Sequence, residues 1–585
     1  MITKTTVLKK CITVSLLFFL STFIVAQAAH GPGGDDNGPG GGGNGPGGGG
    51  NGPGGGGNGP GGGGNGPGGG GNGPGGGGNG PGDGGNNDLR NAQQTLQGLI
   101  IELELEPATV ENLALPNIND PIAQLGKQLF FTKNLGGEQS AACVSCHHPV
   151  LGGGDSLSLP IGVNAVNQLN QSDHDLLGQG RFNGNTNHPV VPRNSPSVFN
   201  LGLNNRALFW DSRVERIQNG QILTPDSLLS LEGQRLPDQN LVPRTTLAAA
   251  QARFPVTTPD EMRGLFASQA NNQDLRAQLT ARFANTDSAF VSSWPAAFET
   301  AFNEPGVSFN KIASAIGEYE RSMVFINNPW SDYLQGDNDA LSREQKAGAV
   351  LFFTPRNEGG AGCAGCHRGS TFSSLRHHLV AFPQFGPGQG NSSDTPTSHD
   401  FGRENITHDT ADRLHFRPPT LLNAAVTAPY GHTGAYQTLE QVVNHYNNPR
   451  RSIDNLFAAR NGEPFANGRS GSAPFCQLPQ ISELMEKTDQ SCQSLYPDAY
   501  TNSIAAVNHL EQARNGDVEA NSPLRGRANL SRQEVSWVAD FLRALTDPCV
   551  QSRECLTPWI IDGNNQPRFP DEQPLIAHDK QGAEL

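Results

Sequence analysis

The chain has 585 residues and a formal net charge of −15. This acidic balance argues against a nucleic-acid-binding protein and against adsorption to an anionic membrane surface, and it is compatible with a basic protein partner. Glycine accounts for 74 residues, many of them in one low-complexity tract. The roughly 500 residues outside that tract suffice for two domains with insertions.

Residues 1–29 have the organisation of a secretory signal peptide. Lysines give a basic start, the apolar stretch 14–25 is too short to span a bilayer comfortably, and Ala26-Gln27-Ala28-Ala29 offers a small-residue cleavage site. Cys11 lies early in this segment rather than at its end, which argues against a lipoprotein anchor. No later stretch predicts a membrane span, so we expect a protein of the periplasm or a secreted protein.

Residues 30–87 are rich in Gly, Pro and Asn, and a heptad Asn-Gly-Pro-Gly-Gly-Gly-Gly recurs there from Asn37 to Asn79. The repeat offers no apolar side chain whose burial could offset the entropy lost on ordering. We therefore interpret the tract as a disordered tether. The alternative is an element that binds a cell wall or matrix.

Helical signals dominate the rest of the chain and predict a mainly α fold. Asp120 followed by Pro121 is typical of an N-cap and a first helical residue. Further signals are two capping-box pairs and two apolar stripes at helical spacing: Ser342 with Gln345, Ser531 with Glu534, Ile122-Leu125-Leu129, and Ile312-Ile316-Tyr319-Met323.

Two Cys-x-x-Cys-His pentads are the most informative motifs. They are Cys143 to His147 and Cys363 to His367, with the second cysteines at Cys146 and Cys366. Two thiols at this spacing can form thioethers to the haem vinyl groups, and the adjacent imidazole then lies under the iron as an axial ligand. Disulfides or a zinc site are the alternative for these four cysteines. We predict two covalently bound haem c groups with electron transfer between them.

A longer repeat surrounds the pentads. Gly126-Lys-Gln-Leu-Phe-Phe-Thr precedes the first and Gly348-Ala-Val-Leu-Phe-Phe-Thr precedes the second, each followed by a Gly-Gly pair. This similarity indicates duplication of a haem-binding helical module. We expect an N-terminal haem domain over 88–335 and a C-terminal haem domain over 336–585.

The other cysteines of the mature chain are even in number, as expected for disulfides in an oxidising compartment. Sequence proximity favours Cys476–Cys492 and Cys549–Cys555, although the alternative pairings stay open.

Several further motifs follow in order along the chain: Arg193-Asn-Ser-Pro196, Phe209-Trp-Asp-Ser-Arg213, Gln251 with Pro255, Glu261-Met262, and Thr427-Ala-Pro-Tyr-Gly-His-Thr-Gly434. Together with the pentads, their order resembles that of the bacterial di-haem cytochrome c peroxidases and the related MauG-type enzymes. The resemblance runs from about Asp120 to Asp547. It implies two mainly α, cytochrome c-like domains, of which the N-terminal one is peroxidatic and the C-terminal one transfers electrons.

The resemblance also implies roles for individual residues. Glu261 matches the acid that moves a proton during peroxide cleavage, and Gln251 matches a second distal residue. Trp210 matches a tryptophan between the haems. Calcium ligands are implied by the Asn194 side chain and by two backbone carbonyls, those of Thr427 and Pro429. A solvated loop carboxylate is the alternative for Glu261, and core packing is the alternative for Trp210.

The resemblance does not fix the second axial ligand of either haem iron. The family position that often carries methionine falls on Tyr446, as in MauG-type enzymes, and the neighbouring His445 is the competing ligand. Only Met485 follows His367, and it lies between Cys476 and Cys492. For the N-terminal iron, His188 is the candidate distal ligand, with a five-coordinate iron as the alternative.

These observations predict an enzyme that reduces hydrogen peroxide with electrons from a small redox protein, such as a cytochrome c or a cupredoxin. The first alternative is a MauG-type enzyme that oxidises residues of a partner protein, which Tyr446 favours. Two others are a di-haem oxygenase acting on an organic polymer and a non-catalytic di-haem electron carrier. Glu261 and Gln251 argue against the carrier. A homodimer is the assembly that we consider alongside the monomer.

Overall fold

The computed structural model describes residues 85–585 except 205, 232–233, 285–292, 375, 389–397, 466–471, 564–568 and 572–573. The predicted signal peptide and residues 30–84 of the predicted tether therefore lie outside the described residues. A helix that the sequence analysis did not predict begins at Gly85, inside the last residues assigned to the tether. The described residues belong to one compact unit.

Helices dominate the described residues, as the sequence predicts, and strands are short. The helices are α1 Gly85–Glu102, α2 Pro121–Phe131, α3 Leu247–Gln251, α4 Asn272–Phe283, α5 Trp294–Phe302, α6 Phe309–Arg321, α7 Pro329–Leu334, α8 Arg343–Phe353, α9 Glu404–Thr407, α10 Leu439–Asn447, α11 Pro449–Leu456, α12 Pro479–Thr488, α13 Cys492–Leu495, α14 Ala499–Asn515, α15 Arg532–Arg543 and α16 Arg553–Leu556. The strands are β1 Ala165–Val166, β2 Phe182–Asn183, β3 Ala207–Leu208, β4 Val214–Arg216, β5 Ile222–Leu223, β6 His378–Leu379 and β7 His415–Phe416.

All strand pairs are antiparallel. Ala165 pairs with Asn183 in β1–β2, and His378 pairs with Phe416 in β6–β7. The strands β3, β4 and β5 form a three-stranded sheet in that order, with Leu208 opposite Val214. The first strand of this sheet, β3, ends directly before Phe209 and therefore positions the residues that follow it.

Two helix pairs form the framework, one before each pentad. In the first, α2 packs against α6, and a Cβ atom at Gly126 would collide with the Ala315 carbonyl oxygen. In the second, α8 packs against α15, and a Cβ atom at Gly348 would collide with the Trp537 carbonyl oxygen. Glycine is thus required at the same repeat position in both pairs because the backbones approach closely. The predicted capping boxes at Ser342 and Ser531 are present.

Each end of the described chain packs against the opposite half. Leu96 of α1 belongs to the apolar cluster that contains Phe352 of α8 and Phe541 of α15. At the other end, Leu556 and Leu575 join the cluster that contains Leu129 of α2. A third cluster lies among residues 379–524, with Leu159 from the first half. These contacts bury each chain end against the opposite half of the chain, which the repeat pattern alone does not predict.

Two disulfides have the pairing that sequence proximity favoured, Cys476–Cys492 and Cys549–Cys555. Within the described residues, no helix combines the length and the apolar character needed to cross a membrane.

Candidate active site

Each pentad forms a short 3-10 turn that directs its cysteines and histidine into a cavity. The first turn covers Cys143–Ser145, and Cys143, Cys146 and His147 line a cavity of about 130 Å³. The second covers Cys363–Gly365, and Cys363, Cys366 and His367 line a cavity of about 240 Å³. None of these four cysteines forms a disulfide. Their thiols are therefore available for two thioethers at each cavity.

The pentad histidines have the tautomer that an axial ligand needs. His147 Nδ1 lies 3.3 Å from the Gly153 carbonyl oxygen, and His367 Nδ1 lies 3.0 Å from the Phe372 carbonyl oxygen. A carbonyl only accepts, so each Nδ1 carries the proton and each Nε2 keeps its lone pair. Burial lowers the pKa of both imidazoles to about 4, which keeps them neutral near pH 7. Two thiols and a neutral imidazole at each cavity fit a haem c group.

Glu261 and Gln251 both line the first cavity. Glu261 belongs to the helical turn Pro259–Arg263, and its Oε1 atom lies 3.7 Å from Nη2 of Arg213. Burial raises the pKa of the Glu261 carboxyl, and the Arg213 guanidinium opposes that shift. A raised pKa makes a carboxylate a better proton acceptor, which is one half of the acid–base chemistry that peroxide cleavage requires.

Sequence reasoning missed a second carboxylate in this cavity. Glu320 of α6 is 3 % exposed and lines the first cavity, and its Oε2 atom has no hydrogen-bond partner among the described residues. Burial raises the pKa of Glu320 to about 8. The available signal was spacing, because Glu320 follows the buried Ile316 by four positions on the apolar face of α6.

Trp210 lies in a wall that both cavities share. The residues that line both cavities are Asn194, Ser195, Pro196, Ser197, Leu201, Trp210 and Arg417. Trp210 Nε1 donates a 2.9 Å hydrogen bond to the Asn194 carbonyl oxygen, and the Asn194 N–H donates a 2.8 Å bond to the His432 carbonyl oxygen. The wall therefore joins segments that are far apart in sequence.

The backbone around Trp210 is strained. Phe209 has φ of 67° and Ser212 has φ of 55°, which are left-handed values that non-glycine residues seldom adopt. Asp211 between them is bound by Arg193, whose Nη1 lies 2.5 Å from the Asp211 carboxylate. Arg193 Nε also lies 2.6 Å from the Asp400 carboxylate. This buried ion triad stabilises the turn and ties it to the second half of the chain.

The residues predicted as calcium ligands share one cavity wall. Asn194, Thr427 and Pro429 all line the larger cavity. Asn194 Nδ2 donates to the Leu157 carbonyl oxygen at 2.8 Å, so its Oδ1 atom is the side-chain atom left for a cation. No described residue donates a hydrogen bond to that oxygen or to the two carbonyl oxygens. Oxygen donors of this kind suit calcium.

The structure separates the two candidate ligands on α10. Tyr446 lines the second cavity with His367, and no described residue hydrogen-bonds to its hydroxyl. Burial raises the pKa of the Tyr446 phenol. His445 is fully buried outside the cavity lining, with Nδ1 2.9 Å from the Tyr436 hydroxyl and Nε2 2.9 Å from the Val380 carbonyl oxygen. Both ring nitrogens of His445 are therefore engaged, which disfavours ligation by His445.

His188 is not brought to the first cavity. Its ring packs edge-on against Tyr496, with the centroids 6.1 Å apart, and it does not belong to the cavity lining. The predicted ligation by His188 does not fit this arrangement, because the aromatic contact holds the ring against the other half of the chain. Met485 packs in apolar clusters and likewise does not line the second cavity.

Comparisons with known proteins agree with the motifs. Residues 120–339 match the family model described as di-haem cytochrome c peroxidase. The cytochrome c551 peroxidase of Pseudomonas aeruginosa is 26% identical over 396 residues, which cover 66% of this chain and 89% of that protein. The methylamine utilization protein MauG of Methylorubrum extorquens is 26% identical over 358 residues, which cover 61% and 76%.

Among solved structures, a MauG-like protein associated with microbial copper homeostasis has 21% sequence identity and a TM-score of 0.44, covering 80% of this chain and 96% of that chain. The family model thus matches part of the chain, and the relatives that resemble it at 26% identity include both a cytochrome c551 peroxidase and MauG. The protein is accordingly an oxidoreductase of the cytochrome c peroxidase type.

Proposed function

We propose that the protein is an exported di-haem c-type peroxidase that reduces hydrogen peroxide to water with electrons from a small redox protein. The observation that carries this proposal is the placement of Glu261 and Gln251 in the same cavity as His147 and the thiols of the first pentad. In this proposal the peroxidatic domain spans 88–335 and the electron-transfer domain spans 336–585.

A bound haem c would supply the iron at which the peroxide bond is reduced. His147 would hold that iron from one side through Nε2, while its Nδ1–H stays on the Gly153 carbonyl oxygen. Glu261 would accept the proton from one peroxide oxygen and return it to the other, which then leaves as water. Arg213 would hold the Glu261 carboxylate in place, and the Gln251 amide would orient the peroxide.

The second cavity would receive electrons and pass them through the shared wall. Trp210 borders both cavities, so its indole would shorten the electron-transfer distance between the two haem groups. Two electrons and two protons are needed for each peroxide. The external donor supplies the electrons, and the carboxylates of the first cavity are suited to relay protons from water.

Mass spectrometry and turnover together test this proposal. The mature protein should carry the added mass of two haems after denaturation, and peroxide should drive the oxidation of reduced cytochrome c or cupredoxin. One haem, or haem that acid extracts, would contradict the proposal. Haem loading without peroxide-dependent oxidation of either donor would favour a non-catalytic carrier. Cell fractionation tests export, because the haem-loaded protein should be recovered in the periplasmic or extracellular fraction.

MauG-type oxidation of a partner protein is the second candidate. The position of Tyr446 in the second cavity supports it, because a phenolate ligand would stabilise oxidised iron relative to methionine. This candidate predicts mass shifts on a co-purified protein after peroxide, together with slow turnover of small redox donors.

We further propose that Asn194, Thr427 and Pro429 bind Ca²⁺. The ligands come from distant parts of the chain, so the calcium ion would fix the distance between the two haem groups. Removal of calcium with a chelator should change the haem spectra and slow turnover, and added calcium should restore both. Full activity in calcium-depleted protein would rule out this role.

A further inference from the structure

Arg417 occupies the shared wall between the two cavities. It follows β7 directly, is 8 % exposed and lines both cavities. Its backbone N–H donates a 2.8 Å hydrogen bond to the Trp210 carbonyl oxygen, and its Nε donates a 3.0 Å bond to the Phe209 carbonyl oxygen. These bonds fix the guanidinium against the strained turn that carries Trp210.

The terminal nitrogens of Arg417 have no partner among the described residues. Asp211 is the acid that favours its charged form, but that carboxylate is already bound by Arg193 at 2.5 Å. Burial lowers the pKa of Arg417 to about 10, so the guanidinium remains cationic near neutral pH. A buried cation without a counter-charge destabilises the fold.

The other cations at the first cavity are already neutralised. Arg193 is bound by Asp211 and Asp400, and Arg213 lies 3.4 Å from Asp211 and 3.7 Å from Glu261. At the second cavity, Arg417 is the only arginine or lysine among the described lining residues, and no aspartate or glutamate accompanies it there. One cation in the wall is thus left without a carboxylate from the protein.

We propose that Arg417 is a shared carboxylate-binding site, whose Nη1 and Nη2 atoms bind propionate groups of the haems in both cavities. This inference rests on the haem loading proposed above. A guanidinium suits the task because its planar fork matches carboxylate geometry and its two terminal nitrogens point away from the Nε donor already used. The propionates would in turn supply the counter-charge that the protein lacks at this point.

The expected consequence concerns reduction potentials. Reduction adds an electron to each group, so a nearby cation stabilises the reduced form. If Arg417 binds both groups, its charge raises both midpoint potentials. A residue that only packs in the wall would move neither potential in this way.

Potentiometric titration of the haem-loaded full chain tests the inference. Arg417→Gln should lower both midpoint potentials, whereas Arg417→Lys should retain most of each potential because the charge stays. Arg450→Gln is the matched control, since Arg450 pairs with Glu511 at a partly exposed site and touches neither cavity lining. That control should leave both potentials unchanged.

Two results would overturn the inference. Unchanged potentials in Arg417→Gln would show that the guanidinium binds neither group, and a shift in only one potential would exclude a shared site. If the glutamine variant loads fewer than two haems, Arg417→Met conserves side-chain length and carries the same expectation. A wild-type chain without haem would instead contradict the proposed function, and wild-type turnover with unshifted Arg417→Gln potentials would contradict this inference alone.

Discussion

Each of the two cavities has a Cys-x-x-Cys-His pentad and an equivalent supporting helix pair, yet the two cavities differ in their ionisable groups. The first cavity contains two carboxylates, Glu261 and Glu320, whereas the described lining of the second contains none and presents Tyr446 instead. Only the first cavity can therefore move protons through carboxyl groups. The second cavity instead presents a phenol oxygen, the ligand that we propose for its iron.

This difference arises outside the duplicated framework. Gly126 and Gly348 permit the same close helix contact in each half. The carboxylate of Glu261 instead comes from the helical turn Pro259–Arg263, and the phenol of Tyr446 comes from α10. A duplicated module can thus keep its haem-attachment motif while neighbouring segments supply different ionisable side chains to each copy.

Removing the proton-transfer group of the first cavity should have the largest effect. We expect Glu261→Gln to lower peroxide turnover about 10²–10⁴-fold, because the amide cannot exchange the proton between the peroxide oxygens. Steady-state oxidation of reduced cytochrome c measures the rate, and mass spectrometry verifies that both haems remain.

The neighbouring Asp260 supplies the control. Asp260 is exposed and does not line the cavity. Asp260→Asn should retain nearly full turnover, since it removes a charge without removing a group that faces the peroxide. Equal losses in the two variants would mean that local charge, rather than proton transfer by Glu261, limits the rate.

The ion triad in the wall should contribute mainly to stability. We expect Arg193→Met to lower the free energy of unfolding by about 3–5 kcal/mol, because the buried Asp400 loses its counter-charge and the buried Asp211 keeps only the longer contact with Arg213. Denaturant unfolding monitored by circular dichroism gives the difference. Arg450→Met, which breaks a partly exposed pair with Glu511, should cost no more than about 1 kcal/mol. Similar losses in both variants would show that the triad contributes no more to stability than a partly exposed ion pair.

Much of this arrangement could be predicted from local sequence. The pentads, the capping boxes at Ser342 and Ser531, and the two disulfides follow from spacing over short distances. Helix α2 begins at Pro121 after Asp120, as those residues predict. Each of these features depends on residues that are close in the chain, so tertiary packing does not override the signal.

The missed features depend on contacts between distant segments. Arg417 gained significance only when the fold placed it against Phe209 and Trp210. His188 looked suitable because it precedes Arg193 closely, yet its ring packs on Tyr496 from the other half. Sequence alone could not reveal which buried charges lack partners, because that depends on the whole neighbourhood of each side chain.

Glu320 should give the first cavity a pH dependence that the second lacks. Burial raises its pKa from 4.5 to about 8. Between these values the unfolded chain releases the Glu320 proton while the folded chain retains it, so stability falls as pH rises. From pH 5 to pH 8 we expect a loss of roughly 3 kcal/mol from this group. Glu320→Gln should remove that part of the decline in denaturant unfolding, and an unchanged decline would show that the carboxyl finds a partner when haem is bound.

Replacing Tyr446 should have the smallest effect on stability and the most specific effect on the second cavity. Tyr446→Phe keeps the ring but removes the hydroxyl of a residue that lines the second cavity together with His367, and no described residue loses a hydrogen bond. We expect the free energy of unfolding to change by no more than about 1 kcal/mol. The low-spin signal of the C-terminal haem should nevertheless disappear from electron paramagnetic resonance spectra.

His445→Ala is the complementary variant. It removes the hydrogen bonds to Tyr436 and Val380 and leaves a buried space, so stability should fall by about 2–4 kcal/mol, while the low-spin signal should persist because His445 lies outside the cavity lining. A signal that survives Tyr446→Phe and vanishes in His445→Ala would reverse the assignment of the ligand. Loss of the signal only in Tyr446→Phe would establish that the second cavity differs from the first by a tyrosine ligand. That result would favour MauG-type oxidation of a partner protein over simple peroxide reduction.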